Sequence, residues 1–202
     1  MRTFLAAGAL LIGLAGGAAA EVNPFGLARG AEGIVPRYLL VDANGRSVTN
    51  EDFPGKFQLI TFGYTYCPDI CPTTLVDMAA VLERLGERAA RLQPIFITVD
   101  PERDTPQVLK TYTEFFHPRI LGLSGSPALV RRAADNFRVR YEKVNLPQDP
   151  PDRYAVDHSA GSYLVAPDGR LAKKFAYGTT AEIMAEQIGQ AMGNNPRPER
   201  NE

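Results

Sequence analysis

Two thiols are all this chain contains, and Cys67 and Cys71 stand together in the run Gly63-Tyr64-Thr65-Tyr66-Cys67-Pro68-Asp69-Ile70-Cys71-Pro72. Cysteines three residues apart can close a disulfide or grip one soft metal ion as a pair of thiolates. Thioredoxin-type redox motifs place only two residues between their cysteines, so the spacing does not decide between these chemistries. If the loop is helical, positions i and i+4 share one face with Cβ atoms about 5–6 Å apart, which suits both. Pro72 fits the first turn of a following helix. That puts Cys71 near the positive end of the helix dipole and predicts a lowered thiol pKa.

His158, in Tyr154-Ala155-Val156-Asp157-His158-Ser159, is the candidate third donor. Two thiolates and one imidazole make a soft three-coordinate site, which favours copper, one ion per chain. Cu(I) accepts that number of ligands; Cu(II) wants a fourth, such as water or a carboxylate. Zinc also wants a fourth, and no second cysteine pair or His/Cys cluster supplies it. Asp69 and Asp157 are placed to orient ligands rather than to bind. Against this stands a bland reading. In an exported protein a lone Cys-x-x-x-Cys is often a structural disulfide. A lone histidine is more often hydrogen-bonded than ligating. From the residues alone, both readings stay open.

The elements that must position these groups follow from periodicity. Residues 38–42 and 46–48 flank Asn44-Gly45 and predict a hairpin. The apolar run 57–62 between Gly55 and Gly63 predicts a buried central strand that ends at the cysteine loop. Residues 73–91 predict a helix with Leu75, Met78, Ala79, Leu82 and Leu85 on one face. A second buried strand spans 94–99. Asp100-Pro101-Glu102-Arg103-Asp104-Thr105-Pro106 reads as a strand-to-helix corner capped by Asp104 or Thr105, with acidic groups able to shape the rim of the site. Helices over 105–116 and 126–138 and strands over 120–123 and 139–144 come next. A Pro- and Asp-rich loop spans 145–156. Strands 162–165 and 171–177 flank Pro167-Asp168-Gly169, and Thr179 with Glu182 predicts a capping box for a helix to Met192. Tyr64 and Tyr66 read as packing that shields the thiols. His117 reads as a helix-end residue facing the dipole.

This order predicts an α/β fold: a mixed sheet with helices on both faces, preceded by a hairpin and interrupted by a long insertion before the last hairpin. A thiol pair between a central strand and a helix is the thioredoxin-like arrangement.

Residues 1–20 carry Arg2, an apolar Gly/Ala-rich run and Ala18-Ala19-Ala20, the pattern of a secretory signal peptide or an uncleaved membrane anchor. Either places the body outside the cytoplasm, in the bacterial periplasm. Taking Arg2 from the 22 basic residues leaves 21 against 23 acidic, a net of −2, and no basic cluster to hold nucleic acid. Residues 21–193 read as one domain and 194–202 as a disordered tail.

The cysteine run resembles the signature loop of the SCO/SenC family. The stretch Phe96-Ile97-Thr98-Val99-Asp100-Pro101-Glu102-Arg103-Asp104-Thr105-Pro106 is similar to its second block, Val156-Asp157-His158-Ser159 to its histidine block, and residues 177–192 to its closing helix. The resemblance covers residues 30–192, with the blocks in order. It implies a thioredoxin-like fold that binds copper through Cys67, Cys71 and His158. It also implies a role in assembling the dinuclear copper centre of cytochrome c oxidase, by delivering copper or by reducing the oxidase subunit's cysteines. The implied partners are that copper-bearing subunit, other periplasmic copper chaperones and a thiol reductant. The implied activity is carriage rather than catalysis.

The competing function is a thiol–disulfide oxidoreductase or redox sensor using Cys67 and Cys71. A thiol peroxidase would want the threonine of a Thr-x-x-Cys pattern where this chain has Tyr64.

Overall fold

The computed structural model describes residues 35–145, 150 and 153–194. Residues 1–20, read as a leader, lie outside them, as do the last eight residues of the chain. Among the described residues no helix is long and apolar enough to cross a membrane.

A hairpin of β1 (Leu39–Val41) and β2 (Ser47–Thr49) opens the fold. Asp42 closes its turn by accepting from the backbone N–H groups of Asn44 and Arg46. The core strands follow as β3 (Phe57–Gly63), α1 (Ile70–Leu85), β4 (Leu92–Thr98), α2 (Pro106–Phe116), β5 (Leu121–Leu123) and α3 (Pro127–Asn136). A ribbon of β6 (Tyr141–Val144) and β7 (Ala155–His158) precedes β8 (Ser162–Val165), β9 (Leu171–Phe175) and α4 (Ala181–Asn194). The main sheet runs β5-β4-β3-β8-β9. β3, β4 and β5 are parallel, while β8 and β9 are antiparallel additions on the other side of β3. This is the mixed sheet flanked by helices that the alternation predicts.

All seven residues of β3 are buried, because helices cover both faces of the strand. Alternation along β3 and β4 sends side chains to opposite sides. Phe62 meets Phe137, just beyond α3, at 5.4 Å and Tyr163 of β8 at 6.1 Å. On the other face Phe96 meets Tyr112 of α2 at 5.8 Å. α1 packs against α4 and the sheet, burying Leu75, Met78, Val81 and Leu82.

Thr105 caps α2 and Ser126 caps α3, each accepting from the backbone N–H three residues on, with proline at the first helical position. Several boundaries differ from the periodicity reading: ends of β4, β6, β9 and α3 shift by one or two residues, and four further differences fall at helix ends. α1 begins at Ile70, not Thr73, since Pro72 occupies a first-turn position whose N–H has no helical partner to lose. It ends at Leu85 because Gly86 takes φ 53°, and residues 86–91 continue as a 3₁₀ turn. Thr180, not Thr179, caps α4 by accepting from Ile183 N–H, while Thr179 Oγ1 donates to the Ala176 carbonyl. α4 itself runs to Asn194, past the expected end at Met192.

The largest difference is the expected loop 145–156. Its end is strand β7, which pairs with β6 in the register Tyr141↔His158 through Val144↔Ala155. Mostly polar, exposed strands give no apolar alternation to read.

Leu75→Ala tests the core directly. Leu75 is fully buried, so the variant is expected to lose about 2–5 kcal/mol in urea unfolding with an unchanged slope. A loss well under 1 kcal/mol would contradict the packing described.

Candidate metal centre

β3 ends at Gly63 and delivers the cysteine loop directly above the sheet. Cys67 sits in a turn closed by its own N–H donating to the Tyr64 carbonyl at 3.2 Å, ahead of α1 rather than on it. Cys71 lies in the first turn of α1 and is buried. The two cysteines therefore converge by a turn, not by sharing a helical face.

The room for the Cys71 sulfur comes from Gly63. A Cβ at that position would stand 2.6 Å from Cys71 Sγ and 2.8 Å from the Phe96 ring. Contacts so short have no relief against a packed sheet.

The loop is anchored from the side by Asp104, which is fully buried. Its carboxylate accepts from Thr65 N–H at 3.0 Å, Thr65 Oγ1 at 2.6 Å and Thr98 Oγ1 at 2.8 Å. Burial pushes this carboxyl's pKa up, and the hydrogen bonds from Thr65 and Thr98 pull it back. The corner after β4 is thus more than a connector. Thr105 does the capping and Asp104 holds the thiol loop.

The third donor arrives on β7. His158 Nε2 lies 3.7 Å from Cys71 Sγ. Nδ1 stands 3.2 Å from the Ser159 carbonyl oxygen, which can only accept. Nδ1 therefore carries the proton, and Nε2 turns a lone pair toward the thiols. Burial pulls the imidazole pKa down, against the Ser159 hydrogen bond and the Asp157 charge. His158 is thus ready as a neutral ligand. Its ring edge also meets Tyr64 at 6.1 Å.

The ligand atoms of Cys67, Cys71 and His158 all lie within 4.8 Å of one another, and both thiols are free. This donor set fits a soft ion of low coordination number. The lowered pKa predicted for Cys71 is not what the environment produces. Burial dominates and pushes the thiol well above its usual range; a backbone hydrogen bond at Tyr64 opposes it, while Cys67 and the Asp104 charge add to it.

Asp69 occupies the N-cap position of α1 without a side-chain capping bond, and Asp157 faces solvent; neither joins the cluster. His117 stays at the end of α2, where its Nδ1 accepts from Arg119 N–H. Tyr64 is buried over the site, but Tyr66 is 65% exposed. Periodicity missed Arg103. Its guanidinium lies 4.8 Å from the Tyr66 ring centre and 3.7 Å from that of Tyr154, spanning the cysteine loop and the histidine ribbon. No local pattern reports a contact across fifty residues.

The sheet order and the thiol loop at the end of a central parallel strand define a thioredoxin-like domain, and the adjoining histidine completes a candidate soft-metal site. The chain belongs to the SCO1/SenC family, whose model matches residues 27–193. It is 43% identical over 136 residues to an SCO2-like protein of Rickettsia felis, covering 67% of this chain and 66% of that protein. It is 41% identical over 153 residues to Protein sco1 of Schizosaccharomyces pombe, covering 75% of this chain and 58% of that protein. The chain thus spans less than two thirds of the length of these relatives. Among solved structures, Bradyrhizobium japonicum ScoI with copper bound is 42% identical, with a TM-score of 0.69, covering 76% of this chain and 96% of that one.

Gly63→Ala is expected to lower stability by about 1–3 kcal/mol and to make Cys71 react faster with a thiol reagent, since the added methyl must displace the sulfur or Phe96. Unchanged stability and unchanged reactivity would contradict the close approach described.

Proposed function

We propose that this chain is a copper-binding metallochaperone of the bacterial periplasm, carrying one ion on Cys67, Cys71 and His158. The observation that carries this reading is the convergence of the three donor atoms within 4.8 Å. Membership of the SCO1/SenC family and the likeness to copper-bound ScoI support it. In this reading residues 1–20 export the domain or tether it to the inner membrane. The client is the copper-bearing subunit of cytochrome c oxidase, with other periplasmic copper chaperones and a thiol reductant as further partners.

The geometry suits carriage. One thiol sits on a loop anchored to the sheet and the other in the first turn of α1, and the third donor sits on a separate ribbon. Withdrawal of His158 leaves a two-thiolate ion that an incoming thiol can take over. The same two thiols, with their sulfurs this close, support a second reading. They would pass two electrons and two protons to a disulfide of the client and themselves become a disulfide. This is accessory to carriage and shares its residues.

Anaerobic titration of the reduced domain with Cu(I) against a competing chelator tests the reading. One tight equivalent is expected. His158→Ala should weaken it and keep the fold, and Cys67→Ser or Cys71→Ser should nearly abolish it. Equal affinity in the parent and His158→Ala would remove the histidine from the site.

A pH dependence follows from the Cys71 thiol. Its pKa is raised, so at neutral pH it holds its proton, and binding must release that proton. His158, with its pKa lowered, has none to give up at its ligating atom. Apparent affinity should therefore rise with pH through neutrality, by up to about tenfold per unit for each proton released. Titration in weak buffer should show the release. Affinity flat between pH 6 and 8 would contradict it.

A further inference from the structure

The β6–β7 ribbon that carries His158 pairs with no strand of the main sheet. Along its two four-residue strands only Val156 is buried. Apolar burial therefore gives the ribbon little hold, and polar contacts must fix where His158 stands. Three of them converge on the corner after β4, beside a bond between Tyr64 and the Val156 backbone. Arg103 Nη1 donates to the Tyr154 carbonyl at 3.0 Å, and its guanidinium stacks 3.7 Å from the centre of the Tyr154 ring. The Tyr154 hydroxyl donates to Asp100 Oδ1 at 2.8 Å, and Lys143 of β6 pairs with Glu102 at 2.7 Å. Arg103 Nε pairs with the other oxygen of Asp100, whose side chain is fully buried.

The same guanidinium reaches the other half of the site. It lies 4.8 Å from the Tyr66 ring centre and 5.8 Å from that of Tyr64, the residues flanking Thr65 in the cysteine loop. The Arg103 side chain is only 19% exposed, so ring faces and a carboxylate have replaced much of its water. Arg131 also touches the ribbon, stacking on Tyr141 at 3.7 Å, but it joins the ribbon to α3 and not to the thiol loop.

We propose that Arg103 is a positioning residue that latches the His158 ribbon to the loop bearing Cys67. It sets how much of the time His158 Nε2 stands beside Cys71. The inference rests on the three-donor reading. It adds that retention and release of the ion are governed by a cation that never touches it. Freeing Arg103 from Tyr154 frees the third ligand while the two thiolates stay in place.

Arg103→Lys keeps a cation for buried Asp100 but loses the planar fork and much of the stacking. Arg103→Ala would strand that carboxylate and risks unfolding. Tyr154→Leu approaches from the other side, removing the ring while the Arg103–Asp100 pair remains. Hydrogen exchange on the metal-free proteins comes first. Both variants are expected to speed exchange at Val156–Ser159 by about tenfold or more, with β3 and β4 unchanged. In Cu(I) titration each should bind about three- to tenfold more weakly than the parent, and neither should add to the loss in a His158→Ala background. Unchanged ribbon exchange would overturn the latch, as would an affinity loss of equal size with and without His158. If the parent binds no Cu(I), the copper reading fails, and the exchange result alone upholds or overturns the latch.

Discussion

The Cys71 sulfur fits against the sheet only because residue 63 has no side chain. With a Cβ there, the closest contact would be 2.6 Å to that sulfur, and Phe96 blocks the alternative path. The rest of the site is built outward from this fixed point. Cys67 is brought round by a turn on the Tyr64 carbonyl, the loop between is pinned by Asp104, and His158 closes over the top. The cost of the arrangement falls on the thiol. Burial favours the protonated Cys71, so in the proposed copper site an arriving ion must displace a proton. A site that binds by exchanging a proton for a metal is sensitive to its surroundings in a way that a preformed thiolate pair would not be.

The division of labour between sheet and ribbon shapes what the site can do. The cysteine loop is tied to the corner after β4 by two hydrogen bonds from Thr65 to the buried Asp104 side chain, which Thr98 of β4 also bonds. The ribbon is held mainly by surface and half-buried polar contacts, which open more readily. A holder of a permanent cofactor would gain from burying all its ligands on the core. Placing one of three on a separable element favours exchange, and the corner at residues 100–104 serves both halves at once.

Much of this was legible in the sequence, and the parts that were not share a physical reason. β3 and β4 declared themselves as apolar runs, Thr105 and Ser126 as caps before proline, and the thiol pair by its place between strand and helix. Cys67, Cys71 and His158 were each nameable from residue type, and the family blocks supplied their connection. β6 was expected within 139–144, but its partner β7 was read as loop, because β7 buries only Val156 and no alternation marks it. The helix start was placed at Thr73 because the apolar face is readable only from Leu75 on, although Pro72 already read as a first-turn residue that gives up no hydrogen bond. The Cys71 pKa was misjudged because the helix dipole is a local feature visible in sequence, while desolvation depends on what packs from elsewhere. Arg103 and Asp104 were seen only as members of a corner, since their partners lie on the cysteine loop and the ribbon.

X-ray absorption at the copper edge, on the anaerobically loaded domain, tests the central claim most directly. The account predicts two sulfur donors and one nitrogen donor per copper, with the nitrogen lost in His158→Ala and both sulfurs kept. A copper held by sulfur alone in the parent, or a ligand set unaltered by His158→Ala, would contradict it.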